Sequence, residues 1–251
     1  MYAYFLRVFF FFRSAHITGS LLDLNNLSYF ADLISSINKK KNLSSIKIHG
    51  NFDTYLDKNK TLYSVKEDEL LKKHLNLFQS ITSNIENSSI TYFCYVDGII
   101  KGPALEFALA CKNIEAGPNT YFEFNEIDQE SMFLFGSIQR LLRVIGYKNT
   151  LDLLLFKKRL NFEEASKLEL INSKLDLVKK KQNFFWDQQF TNTFIYYNSK
   201  IHAKTKNLLP AYNATLSSVF EGTICGYEAS LSIEKKWLNW LINKNCLKSS
   251  C

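Results

Sequence analysis

The sequence predicts an α/β fold built mainly on parallel strands. Short apolar runs rich in β-branched and aromatic residues alternate with amphipathic stretches through the first half. The C-terminal third reads as almost wholly helical. Three prolines and nine glycines are spread over 251 residues, with no Pro/Ser-rich linker, low-complexity tract or internal repeat. A single domain is expected: a core over residues 1–180, and a helical C-terminal region of the same domain over 181–251.

Each element has its own signal. Residues 2–12 (YAYFLRVFFFF) are apolar apart from Arg7. That run is well short of the roughly 20 residues needed to span a bilayer. No basic residue precedes it and no small-residue cleavage site follows it, so a buried aromatic strand is expected rather than a signal peptide. Residues 25–39 read as a helix with Leu27, Phe30, Leu33, Ile34 and Ile37 on one face. Residues 45–48 read as a short strand before a Gly50-Asn51 turn. A longer amphipathic helix follows over 64–85, carrying Leu70, Leu71, Leu75, Phe78, Ile81 and Ile85. Residues 89–96 (SITYFCYV) form a buried strand that Asp97-Gly98 closes. Pro103 suits the first position of a helix over 103–112, and 120–124 is again a strand. Asn161 is an N-cap. Beyond Asn183 two long helices are expected, broken near Leu209-Pro210.

Composition excludes several classes. Hydrophobic residues make up 46% of the chain, as in a globular protein. The net charge of +7 fits nucleic acid, a membrane surface or a phosphorylated cofactor. Lysine and asparagine are plentiful throughout, however, and compositional bias is the stronger explanation of the charge. Five cysteines without a CxxC pair argue against a disulfide framework and suit a reducing cytoplasm. Cys94 and Cys111 lie in apolar stretches and read as core residues. The four histidines lack metal-ligand spacing, so no metal site is expected, although His49 adjoins Gly50. Lys179, Lys180 and Lys181 read as a solvated face, and Phe184, Phe185, Trp186, Tyr196 and Tyr197 as helix-packing residues. No nucleic-acid motif accompanies the basic residues, and no segment has membrane-span character.

The chemistry lies between Gly98 and Ile171. Glu106 falls one turn inside the helix that starts near Pro103, and its side chain would point back toward that N-terminus. Its neighbours Leu105, Phe107, Ala108 and Leu109 are apolar. Most glutamates on helices are solvated, but a carboxylate in such surroundings is costly to bury and asks for a role. Glu126 follows the next strand, at the strand end where α/β folds place their ligands.

The ordered run of motifs resembles the crotonase (enoyl-CoA hydratase/isomerase) superfamily. It reads Gly98-Ile99-Ile100-Lys101-Gly102-Pro103-Ala104-Leu105-Glu106, Ala110-Cys111-Lys112, then Phe122-Glu123-Phe124-Asn125-Glu126. Gly136-Ser137-Ile138-Gln139-Arg140-Leu141, Val144-Ile145-Gly146, Glu163-Glu164-Ala165 and Leu170-Ile171 follow in family order. Pro210-Ala211, Glu221-Gly222, Gly226, Glu228, Glu234 and Trp237 resemble the end of the hydratase domain in the α-subunit of fatty-acid oxidation complexes.

The resemblance implies the crotonase ββα spiral with a helical C-terminal region. It implies hydration of a 2-enoyl thioester, or migration of its double bond. In that reading Glu106 activates water, Glu126 exchanges the α-carbon proton, and no cofactor is needed beyond the coenzyme A of the substrate. The substrate would be an acyl-CoA or an acyl-carrier-protein thioester. A homotrimer, or assembly with a partner dehydrogenase or thiolase, is implied as well. The family's oxyanion hole would fall at the backbone N–H groups of Gly50 and of residue 103. Residue 103 is here a proline and has no N–H. That departure keeps open the alternative of a catalytically impaired relative that binds acyl-CoA or a partner protein.

Overall fold

The computed structural model describes residues 7–11, 14–18, 24–51, 68–124, 127, 132–133, 136–171 and 187–243. The chain divides into two compact units. Unit 1 comprises residues 1–123 and 160–175, and unit 2 comprises residues 124–159 and 176–251.

Unit 1 is built on a five-stranded sheet. Its strands are β1 (Arg7–Phe11), β2 (Ser14–Thr18), β3 (Ser45–Asn51), β4 (Thr91–Val96) and β6 (Asn113–Ala116), in the order β1-β2-β3-β4-β6. β2, β3, β4 and β6 pair in parallel, and β1 joins the edge antiparallel. The expected α/β class and parallel sheet are therefore found. A second sheet orders β5 (Ile99–Ile100), β7 (Tyr121–Glu123) and β8 (Arg159–Asn161).

The sheet's period-two pattern sorts its side chains. In β4 Tyr92, Cys94 and Val96 are buried while Thr91, Phe93 and Tyr95 are half-buried. Ile46 and Ile48 of β3 and Ile114 of β6 are buried as well. Three helices add to this core. α1 (Leu24–Asn38) contributes Leu27, Phe30, Ile34 and Ile37, and α2 (Asp68–Glu86) contributes Leu75, Phe78, Ile81 and Ile85. α3 (Gly102–Ala110) buries every residue from Ala104 onward, and Phe107 meets Phe30 of α1 edge-on at 5.3 Å between ring centroids. α5 (Phe162–Lys167) starts at Asn161, whose side chain accepts the Glu164 N–H while the Glu164 carboxylate accepts the Asn161 N–H.

A polar joint ties α1 to β4. The Asn38 side-chain oxygen Oδ1 accepts hydrogen bonds from the Tyr92 hydroxyl and the Ser88 hydroxyl, both at 2.7 Å. Burial, with the neighbouring Cys111 thiol, holds the Tyr92 hydroxyl far above an ordinary tyrosine pKa. Below about pH 10 both folded and unfolded chains keep this proton and its contribution is complete. Above that, the unfolded phenol ionises first, so stability falls as pH rises. Denaturant midpoints are expected to drop as pH rises above about 10, and to drop less steeply in Tyr92→Phe.

Unit 2 holds the helices α4 (Ser137–Asp152), α6 (Gln188–Thr205), α7 (Pro210–Thr223) and α8 (Tyr227–Asn243). α4 kinks at Gly146 (φ 78°, ψ 164°) and runs into a π-helical turn, Leu153–Lys157, that Lys158 ends in the left-handed region (φ 61°). Buried Tyr197 of α6 donates its hydroxyl to the Asp152 carboxylate.

Two expectations are corrected. Gly50 and Asn51 do not turn; they extend β3, pairing with Ile17 and Thr18 of β2. A strand the sequence did not announce gives them a partner, and pairing overrides the local turn preference. Among its described residues the C-terminal region holds three helices, not two. The second break lies at residues 224–226, where the Gly226 carbonyl opens α8 by accepting the Ser230 N–H at 3.0 Å. No proline marks that break, so the apolar pattern reads straight through it.

Candidate active site

α3 sets the geometry. Lys101 precedes it in extended conformation (φ −154°, ψ 169°), and Gly102 turns the chain with φ +55°. That angle, rather than space, requires glycine, since a Cβ there would meet nothing within 4 Å. Pro103 then sits in the first turn, where a missing N–H breaks no helical bond. The Leu105 N–H returns to the Lys101 carbonyl at 3.5 Å. Ala104 is 2% exposed, and among the described residues its N–H meets no acceptor. Among the described residues the helix therefore presents, at its positive end, an N–H without an acceptor on a buried residue.

Glu106 lies one turn further on and is 2% exposed. The helix around it is apolar on all sides, as the sequence suggested, so its carboxylate is inside unit 1 rather than in solvent. A helical side chain leans toward the N-terminus of its helix, the direction of the Ala104 N–H.

Gly50 belongs to the same unit. It is the last residue but one of β3, and its neighbour His49 pairs with Tyr95 of β4. The ends of β3 and β4 are thus level, and the chain leaves β4 through β5 to reach α3. Gly50 lies within the carboxyl end of β3, and the start of α3 follows β5; the carboxyl ends of parallel strands are the usual place for ligands in such sheets. The half-buried His49 ring lies 5.2 Å from the Tyr95 ring. Glu126, Asn125, Phe135, Lys179–Lys181 and Phe184–Trp186 lie outside the described residues. Cys94 and Cys111 are buried and take part in no disulfide, as expected of core residues.

The Gly136–Leu141 motif has a role that sequence reading did not assign. Gly136 caps α4 with φ +86°, and a Cβ there would come within 2.6 Å of Leu231. Its N–H and that of Gln139 donate to the two carboxylate oxygens of Glu234, at 2.9 and 3.1 Å. Glu234 is 1% exposed and sits on α8. The Gln139 amide donates in turn to the Ser218 carbonyl and hydroxyl of α7. The motif is therefore a joint between helices within unit 2. Its signal in the sequence was the pairing of this glycine with a distant glutamate, which only the fold brings together. Groups of histidine, cysteine and carboxylate residues able to hold a metal ion are absent among the described residues.

No protein-family model matches the chain. Its sequence is similar to the peroxisomal Δ(3,5)-Δ(2,4)-dienoyl-CoA isomerase of Arabidopsis thaliana, 24% identical over 174 residues. It is also 33% identical over 89 residues to the peroxisomal fatty acid β-oxidation multifunctional protein AIM1 of that plant. These matches cover 64% and 36% of this chain. The chain spans 62% of the isomerase and 12% of the multifunctional protein, less than two thirds of either. Among solved structures, the enoyl-CoA hydratase of Bacillus halodurans superposes with a TM-score of 0.64, covering 98% of each chain at 21% identity. The resemblance to the crotonase superfamily thus holds in sequence as well as in structure, and the chain has the crotonase fold.

Proposed function

We propose that the protein is an enoyl-CoA hydratase/isomerase-like enzyme that adds water to a 2-enoyl thioester or shifts its double bond. The observation that carries this reading is Glu106, a carboxylate 2% exposed near the positive end of an apolar helix. Names of similar proteins point to acyl-CoA thioesters as the substrate class.

In the proposed hydration Glu106 takes a proton from water, and the water oxygen bonds to the β-carbon. The double-bond electrons move onto the thioester oxygen. Glu126, by the motif resemblance, then delivers a proton to the α-carbon and the carbonyl re-forms. Backbone N–H groups hold the transient negative oxygen. Pro103 supplies none, so this role falls to Gly50 and to Ala104, a buried residue whose N–H meets no acceptor among the described residues.

The assay is loss of conjugated-thioester absorbance on mixing with 2-enoyl-CoA. Turnover by the wild type is expected. Ala104→Pro should lower it by about 10²–10³, the usual effect of one oxyanion donor. Pro103→Gly/Ala104→Pro, which moves the free N–H by one residue, should recover most of that loss. A second reading rests on Pro103 itself: a catalytically impaired relative that binds acyl-CoA or a partner. An inactive wild type that becomes active as Pro103→Gly would establish it.

A further inference from the structure

Unit 2 carries a cleft of about 660 Å³ between the end of α4 and the first turns of α6. One wall is a face of α6. Gln188, Asn192 and Tyr196 follow one another there at four-residue spacing, with Gln189 beside them. The buried rings of Phe190 and Phe194 anchor the helix from its other side. The second wall is α4, which supplies Lys148 and Asp152, one turn apart.

These polar groups are largely unspent. The side-chain amides of Gln188, Gln189 and Asn192 meet no partner among the described residues. Lys148 meets no carboxylate there, and Asp152 no cation. The Tyr197 hydroxyl donates to Oδ1 of Asp152 and so orients the carboxylate, while Oδ2 accepts nothing among the described residues.

The lining selects among ligands. A polyanion would face the Asp152 carboxylate, and a cation would face Lys148. A zwitterion would use those two charges but leave three amides and a phenol ring without a role. An apolar ligand would strip water from the amides and return no hydrogen bond. A hydroxyl both donates and accepts, as a primary amide does, and a carboxylate accepts from two neighbouring hydroxyls. Tyr196 adds an aromatic surface, 51% exposed although the Lys200 ammonium stands 4.5 Å from its ring centroid. The negative face of such a ring attracts weakly positive C–H groups.

We propose that this cleft binds a pyranose sugar, a neutral ring with hydroxyls around its rim and C–H groups on its face. Asp152 and the amides of Gln188, Gln189 and Asn192 take the hydroxyls, and Tyr196 packs against the C–H face. The volume lies within the range of small-ligand sites. This site lies within unit 2 and rests on nothing proposed for Glu106.

Titration of the full chain with methyl α-glucoside, methyl α-galactoside and methyl α-mannoside, followed by saturation-transfer NMR, tests it. At least one glycoside should bind, with the strongest transfer to C–H protons on one face of its ring. Glycine, a small zwitterion, should show no transfer. Asp152→Asn, which keeps an acceptor for the Tyr197 hydroxyl, should weaken glycoside binding by about tenfold or more. Gln188→Ala/Asn192→Ala leaves the Tyr197–Asp152 contact intact and should weaken it likewise. Tyr196→Ala should also weaken it, whereas Tyr29→Ala, which removes a tyrosine 52% exposed on α1 of unit 1, should leave it unchanged. Absence of binding by all three glycosides, binding of glycine in their place, or equal effects of Tyr196→Ala and Tyr29→Ala would overturn the proposal.

Discussion

Replacing Glu106 with glutamine is expected to lower turnover of a 2-enoyl thioester by about 10²–10⁴. The expected loss is in kcat, with little change in KM. The substitution keeps the shape and two polar atoms of the side chain but removes its capacity to take a proton. Since Glu106 is 2% exposed in an otherwise apolar helix, the neutral amide should be accommodated without loss of fold. Thermal unfolding beside stopped-flow turnover separates the two effects. A variant that melts like the wild type and turns over as fast would remove Glu106 from the chemistry. Glu126→Gln should behave alike if the two carboxylates act as a relay, because each proton transfer needs the other to complete the cycle.

The second large effect concerns stability. Glu234→Ala is expected to destabilise unit 2 by about 3–5 kcal/mol. Both carboxylate oxygens accept backbone N–H groups, from Gly136 and Gln139, in a setting 1% exposed to solvent. Alanine leaves those two donors buried without an acceptor and opens a space between α8 and the start of α4. A fall in melting temperature on the order of 10 °C follows for a chain of this length. Glu234→Gln keeps one acceptor oxygen and should recover part of the loss. If alanine and glutamine melted alike, near the wild type, the joint would be held by packing alone.

Most of the architecture was legible because its signals are local. The amphipathic stripes of α1 and α2, the apolar SITYFCYV strand and the Asn161 cap each announce themselves within a few residues. The burial of Glu106 was legible for the same reason, through its apolar neighbours. What escaped depends on partners far along the chain. Gly50 and Asn51 look like a turn until β2 lies beside them. Gly136 reads only as one residue of an ordered motif until Glu234 arrives from α8. The break before Tyr227 has no proline to mark it. Pro103 stood between these cases: its missing N–H could be read from the sequence, whereas the idle N–H of Ala104 required the helix to be in place.

Arg143 shows another way of holding a charge. It is 7% exposed and donates to the carbonyls of Gly222 (3.4 Å) and Cys225 (3.2 Å), at the end of α7, with its guanidinium 5.1 Å from the Tyr227 ring centroid. Among the described residues it has no carboxylate partner; the carbonyl dipoles of a helix end stand in for one. Burial lowers its pKa from the ordinary guanidinium range, against the opposing pull of Cys225 and Tyr227. Ionic strength therefore sorts the charges of unit 2 into two kinds. Dissolved ions screen an exposed pair such as Lys236 and Glu221, 3.7 Å apart, but have no access to a guanidinium sealed against backbone oxygen. The turn between α7 and α8 is fastened by a cation that brine does not loosen.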